Sequence, residues 1–207
     1  MSTDNPSNET TQGATPRVGD VLWGGTVFFK VEETMFEVPR YRFMEYSEVF
    51  ADMFRMPQVA EDVEGRHRDR PIVLEGYKAA DFAAMIKVLY PAPITGSYIL
   101  TKDEWVGVLN LSTRWQMKMM REYAIAKLSS LSLSPIEKVT LSRAHKVAKW
   151  LKEGLNEIVT QEEALKPDEL KIHLGLETAF RLNTNAGTVN VEEVFKEEIT
   201  SYESWNH

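Results

Sequence analysis

The stretch Thr34 to Phe54, "TMFEVPRYRFMEYSEVFADMF", decides how this chain is read. Its first residues alternate like a strand, which puts Phe36 and Val38 on one side. Pro39 cannot donate a ladder hydrogen bond, so it marks a strand end or a sheet edge. Ser47 has the side chain to cap a short helix holding Val49, Phe50, Met53 and Phe54. The stretch is crowded with Phe, Met, Tyr and Val and offers no obvious nucleophile or metal ligand. Just upstream, "TVFFKV" (Thr26 to Val31) supplies a partner strand with Val27, Phe29 and Val31 on one face, joined through Glu32, Glu33 and Thr34.

Downstream, residues 57–70 are polar and mixed in charge and read as a loop. "PIVLEG" reads as a further strand, closed by Gly76. Phe82, Met85, Ile86 and Leu89 then form one apolar stripe of a helix that stops before Pro91. Thr101 and Glu104 have the spacing of a capping box and open a helix carrying Trp105, Val108, Leu109 and Trp115. Met120, Ala124, Leu128 and Leu131 carry the stripe of the next.

Ser134-Pro135-Ile136-Glu137 combines a cap, a proline at the first helical position and a glutamate three residues after the cap. One or two helices run from it to about Thr160, burying Val139, Val147, Trp150, Leu151, Leu155 and Ile158. Pro167 starts another helical stretch, with Gly175 as a break and Gly187 as its end. Asn190 and Glu193 open a final acidic helix with Val191, Phe195, Ile199 and Tyr202 on one side and Glu192, Glu193, Glu197 and Glu198 outward. A short sheet followed by helices is an α+β pattern.

With 207 residues, 43% of them hydrophobic, the chain can bury a sizeable core. The net charge of −7 disfavours nucleic acid and anionic membrane as partners, since phosphate binding needs clustered Lys and Arg. There is no cysteine, which excludes disulfides and thiolate chemistry and fits a reducing cytoplasmic or nuclear setting. No basic start precedes an apolar run as in a signal peptide, and no stretch reaches the roughly 18 consecutive apolar residues of a membrane span. Residues 1–17 hold no bulky apolar residue after Met1 and are expected to be disordered.

His67, His145, His173 and His207 are scattered, with no helical His pair for a zinc site. His67 and Asp69, with Glu64 nearby, could touch a metal, but their spacing fits no ligand pattern and a solvated loop explains them better. No P-loop, GxSxG elbow or GxGxxG occurs, so no enzyme, cofactor or metal function is expected. The basic run "RHRDR" (Arg66 to Arg70) is short, interrupted by Asp69 and preceded by Glu61, Asp62 and Glu64. It too reads as a solvated loop. Met53, Met56, Met117, Met119 and Met120 are too many to lie all inside, and Met recurs at protein-binding surfaces.

Taken in order, these motifs resemble the BTB/POZ domain. "VFFKVEETMFEVPR" (Val27 to Arg40) is similar to the family's opening hairpin. "YSEVFADMF" (Tyr46 to Phe54) is similar to its Ser-x-x-Phe-x-x-Met-Phe helix. Arg70 to Pro91 resembles the next strand and the helix ending in Leu-Tyr. Glu104 to Leu128 resembles the paired helices that follow, with the Leu-Asn-Leu-x-x-x-Trp-x-Met pattern. Pro39, "PIVLEG" and "LYP" are closest in flavour to the BTB proteins of filamentous fungi. Ser134 to Val159 and His173 to Leu182 look like the helical extension those proteins carry.

The resemblance implies an α+β BTB/POZ fold, a small sheet with its opening hairpin packed on a cluster of helices, followed by an all-α extension. The implied division is an N-terminal arm over 1–17, the BTB/POZ domain over 18–131, the extension over 132–186 and an acidic tail over 187–207. It implies a non-catalytic protein-interaction module that homo- or hetero-oligomerises. The family's dimer surface maps onto Val21, Leu22 and Trp23 with Tyr41, Phe43 and Met44, residues that could equally just cover the core. Pro39 stands where many animal members have histidine, a departure from the family pattern in the region those members use as a polar pocket. The alternative is a substrate adaptor for a cullin-type ubiquitin ligase. In members that bind the cullin, an apolar-x-Glu motif follows the Met-Phe helix, and Val59-Ala60-Glu61 has that form beyond Met53 and Phe54.

Overall fold

The computed structural model describes residues 25–56, 63–91, 99–161, 167–183 and 190–205. They fall into two compact units, the first ending at Ala79 and the second beginning at Ala80.

The first unit is built on a three-stranded sheet of order β2-β1-β3. Strands β1 (Thr26–Val31) and β2 (Thr34–Pro39) pair antiparallel, with Val27 opposite Val38 and Phe29 opposite Phe36. β1 also pairs in parallel with β3 (Ile72–Leu74). The expected face is the inward one, since Val27, Phe29 and Val31 are all buried. On the edge strand Val38 is buried while Phe36 is half-exposed. The hairpin turns on Glu32 and Glu33. Glu32 sits at φ +52°, a left-handed conformation unfavourable for a side-chain-bearing residue. Its carboxylate accepts a hydrogen bond from the Ala79 N–H at 3.0 Å, which ties the turn to the last residue of the unit.

Two helices follow the hairpin, where the sequence pointed to one. Helix α1 (Tyr41–Tyr46) precedes α2 (Glu48–Arg55), and the buried Ser47 serves both. Its N–H bonds the Phe43 carbonyl at 3.0 Å, and its hydroxyl accepts from the Phe50 N–H at 3.3 Å. Gly65, at φ +81°, lies so close to Val27 and Ile72 that a Cβ there would meet their side chains at 2.8 to 2.9 Å. Its carbonyl accepts from the Phe28 N–H, so the loop before β3 is pinned to β1.

The second unit is helical. In α3 (Ala79–Leu89), Phe82, Met85 and Leu89 are buried as the stripe required. Both capping boxes form, at Thr101 and Glu104 for α4 (Lys102–Arg114) and at Ser134 and Glu137 for α6 (Pro135–His145). Between them, α5 (Lys118–Ser129) buries Met120, Ala124 and Leu128. Leu131 lies beyond the end of α5 and is exposed, so it does not extend the stripe. Of the five methionines in question, Met117 and Met120 are buried, Met53 is half-buried, and Met56 and Met119 are exposed.

Helices α6 and α7 (Ala148–Thr160) form a hairpin through Lys146, which is left-handed at φ +56°. They approach closely at Gly154, where a Cβ would stand 2.8 Å from the Pro135 carbonyl oxygen. Trp150, fully buried, donates its indole N–H to Ser129 at 2.9 Å. Gly175, at φ +87°, separates α8 (Pro167–Leu174) from α9 (Leu176–Asn183). The C-terminal segment is two helices, α10 (Val191–Val194) and α11 (Lys196–Trp205), because the chain turns at Phe195. Val191, Phe195, Ile199 and Tyr202 nevertheless share one buried side, in a core with Val139, Leu151, Leu155, Ile158, Leu170 and Leu182. Among the described residues, no helix is long and apolar enough to cross a membrane.

Candidate functional site

Helices α1 and α2 carry those residues of the inferred interaction surfaces that the structure describes. Tyr41 and Met44 are half-buried on α1 and keep an accessible side. Phe43 does not. It is completely buried, with its ring centroid 5.3 Å from Phe29 and 4.9 Å from Phe50. The expectation that Phe43 contributes to a dimer surface is therefore corrected: one position in a short helix must face the sheet, and the bulkiest apolar residue of α1 takes it. Val21, Leu22, Trp23, Val59 and Glu61 lie outside the described residues.

The exposed side of α1 is polar and aromatic. The Arg42 guanidinium lies 5.1 Å from the Tyr41 ring and 5.7 Å from the Tyr46 ring. It pairs with Glu45 at 2.9 Å and donates to the Tyr46 hydroxyl at 3.2 Å. The Nε atoms of Arg40 and Arg42 are both shut off from solvent and meet no acceptor among the described residues.

Helix α2 turns an apolar strip to solvent. Val49 and Met53 on α2, and Met56 just past its end, recur at helical spacing, with Val49 45% and Met56 60% exposed and Met53 half-buried. Phe54 is half-buried and stacks on Phe50 at 6.0 Å, which anchors the strip to the aromatic core. Glu48, Asp52 and Arg55 are exposed on the same helix. Sequence reasoning picked out Met53 and Phe54 but not the strip as a unit. The usable signal was apolar residues on two sides of a helix too short to be buried all round. The surface suits contact with another polypeptide: adaptable methionines on a rigid base, with charges beside them.

Elsewhere the loop residues 66–70 are exposed and form a turn with His67 bridging to Arg70. Among the described residues, no group of three or more His, Asp or Glu is placed to hold a metal ion.

A second concentration of polar contacts lies in the helical unit, along α11. Glu198 was expected to face outward with the other acidic residues of the tail. It turns inward instead and accepts hydrogen bonds from Arg143 and from the Tyr202 hydroxyl, the latter at 2.7 Å. Burial opposes its charge, yet these partners prevail and hold the carboxyl below the usual range. The Tyr202 phenol is pushed up to about 12 by burial and by its bond to Glu198. Lys146 lies 4.7 Å from the Tyr202 ring, and Lys152 pairs with Glu203 at 2.8 Å. At the start of the segment Arg181 faces the Phe195 ring at 5.6 Å, and at its end Arg121 faces Trp205 at 4.8 Å. Arg121 also donates to the His145 carbonyl at 2.6 Å. His145 is buried, and desolvation with the nearby Arg121 charge lowers its pKa to about 4.

The small sheet with its opening hairpin, followed by a helical region, is the architecture the sequence motifs implied. A family model for the BTB/POZ domain matches residues 25–131, just over half of the chain. The chain belongs to the BTB/POZ family, whose domains are protein-interaction modules and typically non-catalytic. No curated protein matches it.

Proposed function

We propose that this BTB/POZ chain works by oligomerising, with a copy of itself or with another protein, through α1 and the residues that precede the hairpin. The observation that carries this is the accessible side of α1. There Tyr41 and Met44 stand half-exposed beside the Arg42 cluster, on a helix held rigid by the buried Phe43. A contact of this kind needs fixed apolar anchors rimmed by charge, and both are present. Light scattering on the full chain tests it: a mass of twice 23.7 kDa or more is expected. The double change Tyr41→Ala and Met44→Asp should lower that mass to the monomer's. A wild-type monomer that also captures no second protein overturns the reading.

The adaptor alternative draws support from the α2 strip. Val49, Met53 and Met56 stand just before Val59 and Glu61 in the sequence, the residues matching the apolar-x-Glu motif. In this reading Val59 fills an apolar cleft on a cullin scaffold and Glu61 accepts hydrogen bonds at its rim. A pull-down with a cullin N-terminal domain is expected to recover the wild-type chain and to fail with Val59→Ala or Glu61→Ala. Equal recovery of all three would rule the motif out. Either role fits a cytoplasmic or nuclear protein, for which a cysteine-free chain is suited.

A further inference from the structure

We propose that residues 190–205 are a tethered ligand of the helical unit, an acidic amphipathic helix held in a preformed groove on α6 and α7 that it can leave.

The segment is two-sided. Val191, Phe195, Ile199 and Tyr202 are buried, while Glu192, Glu193, Lys196, Glu197, Thr200, Ser201, Glu203 and Ser204 are exposed. Apolar anchors at such spacing on one side of a helix are how amphipathic helices lie in grooves of other proteins. Its charge is also one-sided: five glutamates and one lysine. The groups that hold it are cationic: Arg121 on α5, Arg143 on α6, Lys146 in the α6–α7 turn and Lys152 on α7, with Arg181 on α9 at its start. Glu198 and Glu203 thus act as selectivity positions, read by Arg143 and Lys152.

The walls of the groove also hold one another through contacts that do not involve the segment. Helices α6 and α7 are locked together at Gly154 and by the Lys138 to Glu157 pair at 2.5 Å. They are tied to α4 by the Lys102 to Glu137 pair and to α5 by the Trp150 to Ser129 hydrogen bond. The segment is also incompletely enclosed. An open cleft of about 470 Å³, lined by Arg143, Leu176, Arg181, Phe195 and Glu197 among others, runs beside its first turns. Ion pairs bordering such a cleft are within reach of water and salt. A separate acidic helix with the same apolar spacing would compete for this groove.

The test uses the full chain with a protease site placed between Thr184 and Val189, folded and purified intact, then cut. A dye-labelled peptide of residues 190–207 is added before and after cutting. The cut protein is expected to take up the labelled peptide while keeping its circular dichroism. The uncut protein should take up far less, because the tethered copy competes at an effective concentration on the order of millimolar. A labelled peptide with Glu198→Gln and Glu203→Gln should bind about tenfold more weakly in low salt, with the difference shrinking as salt rises. Three results overturn the proposal: no exchange after cutting, unfolding of the remainder when the peptide leaves, or equal binding of the two peptides. The first two would make the segment an integral part of the core.

Discussion

Arg143 and Glu198, 55 residues apart in sequence, meet through two parallel hydrogen bonds, Nε to Oε1 at 2.9 Å and Nη2 to Oε2 at 3.2 Å. The third nitrogen of the same guanidinium donates to the Leu174 carbonyl at 3.1 Å, so one side chain joins α6, the end of α8 and α11.

Replacing Arg143 with alanine leaves Glu198 largely buried without its cation. The expected loss is roughly 1–3 kcal/mol in urea unfolding, as for a charged hydrogen-bonded pair. In the wild type the depressed Glu198 pKa means that this stability is present above the ordinary carboxylate value and is lost as pH falls through the lowered one. Arg143→Ala should flatten that acid limb. Arg143→Lys keeps the charge but cannot reproduce the fork, and should fall between the two.

His145 supplies a second pH signature, in a different window. Its folded pKa, about 4, lies below the unfolded value of about 6.5. Its contribution is therefore complete above pH 6.5 and is lost as pH falls toward 4, because the unfolded chain takes up the proton first. The size is on the order of 3 kcal/mol. Unfolding measured at pH 7 and pH 5 should show wild-type stability dropping in this range, and His145→Gln should lack the drop. An unchanged slope in that variant would assign the effect elsewhere.

Phe43 is expected to behave as core. Phe43→Ala should cost roughly 3–5 kcal/mol, since it empties the space between Phe29 and Phe50. Tyr41→Ala, at a half-exposed neighbour, should cost less than half as much. Thermal denaturation of the two variants side by side checks the inward placement of Phe43 directly.

Gly154→Ala tests the α6–α7 contact. An added methyl would meet the Pro135 backbone oxygen at 2.8 Å and Val139 at 2.9 Å, and backbone cannot move aside as a side-chain tip can. A loss of about 1–3 kcal/mol is expected in chemical unfolding. Stabilisation, the usual result of putting alanine into an exposed helix, would show that the helices are further apart.

What the sequence disclosed was mostly local chemistry. The caps at Ser47, Thr101, Ser134 and Asn190 all form, because a hydroxyl or amide and a backbone N–H three residues on need no distant partner. The inward face of β1 was equally plain from alternation. Helix α1 was not, since six residues with one buried position give no periodic stripe, and Arg40 at its start makes no side-chain cap. The inward turn of Glu198 was hidden for another reason: five glutamates share the tail, and only the position of Arg143 selects this one. The α2 strip was half legible, as Met53 and Phe54 stood out but the exposure of Val49 and Met56 depends on tertiary packing.

The sheet has a further consequence for handling the protein. Among the described residues its outer strands are poor templates for adding another chain: β2 ends in Pro39 and carries an exposed Glu37, and β3 is three residues long. Concentrated stocks of the native chain should thus resist seeded fibril growth, and thioflavin fluorescence should stay flat in samples where discrete assemblies are already present.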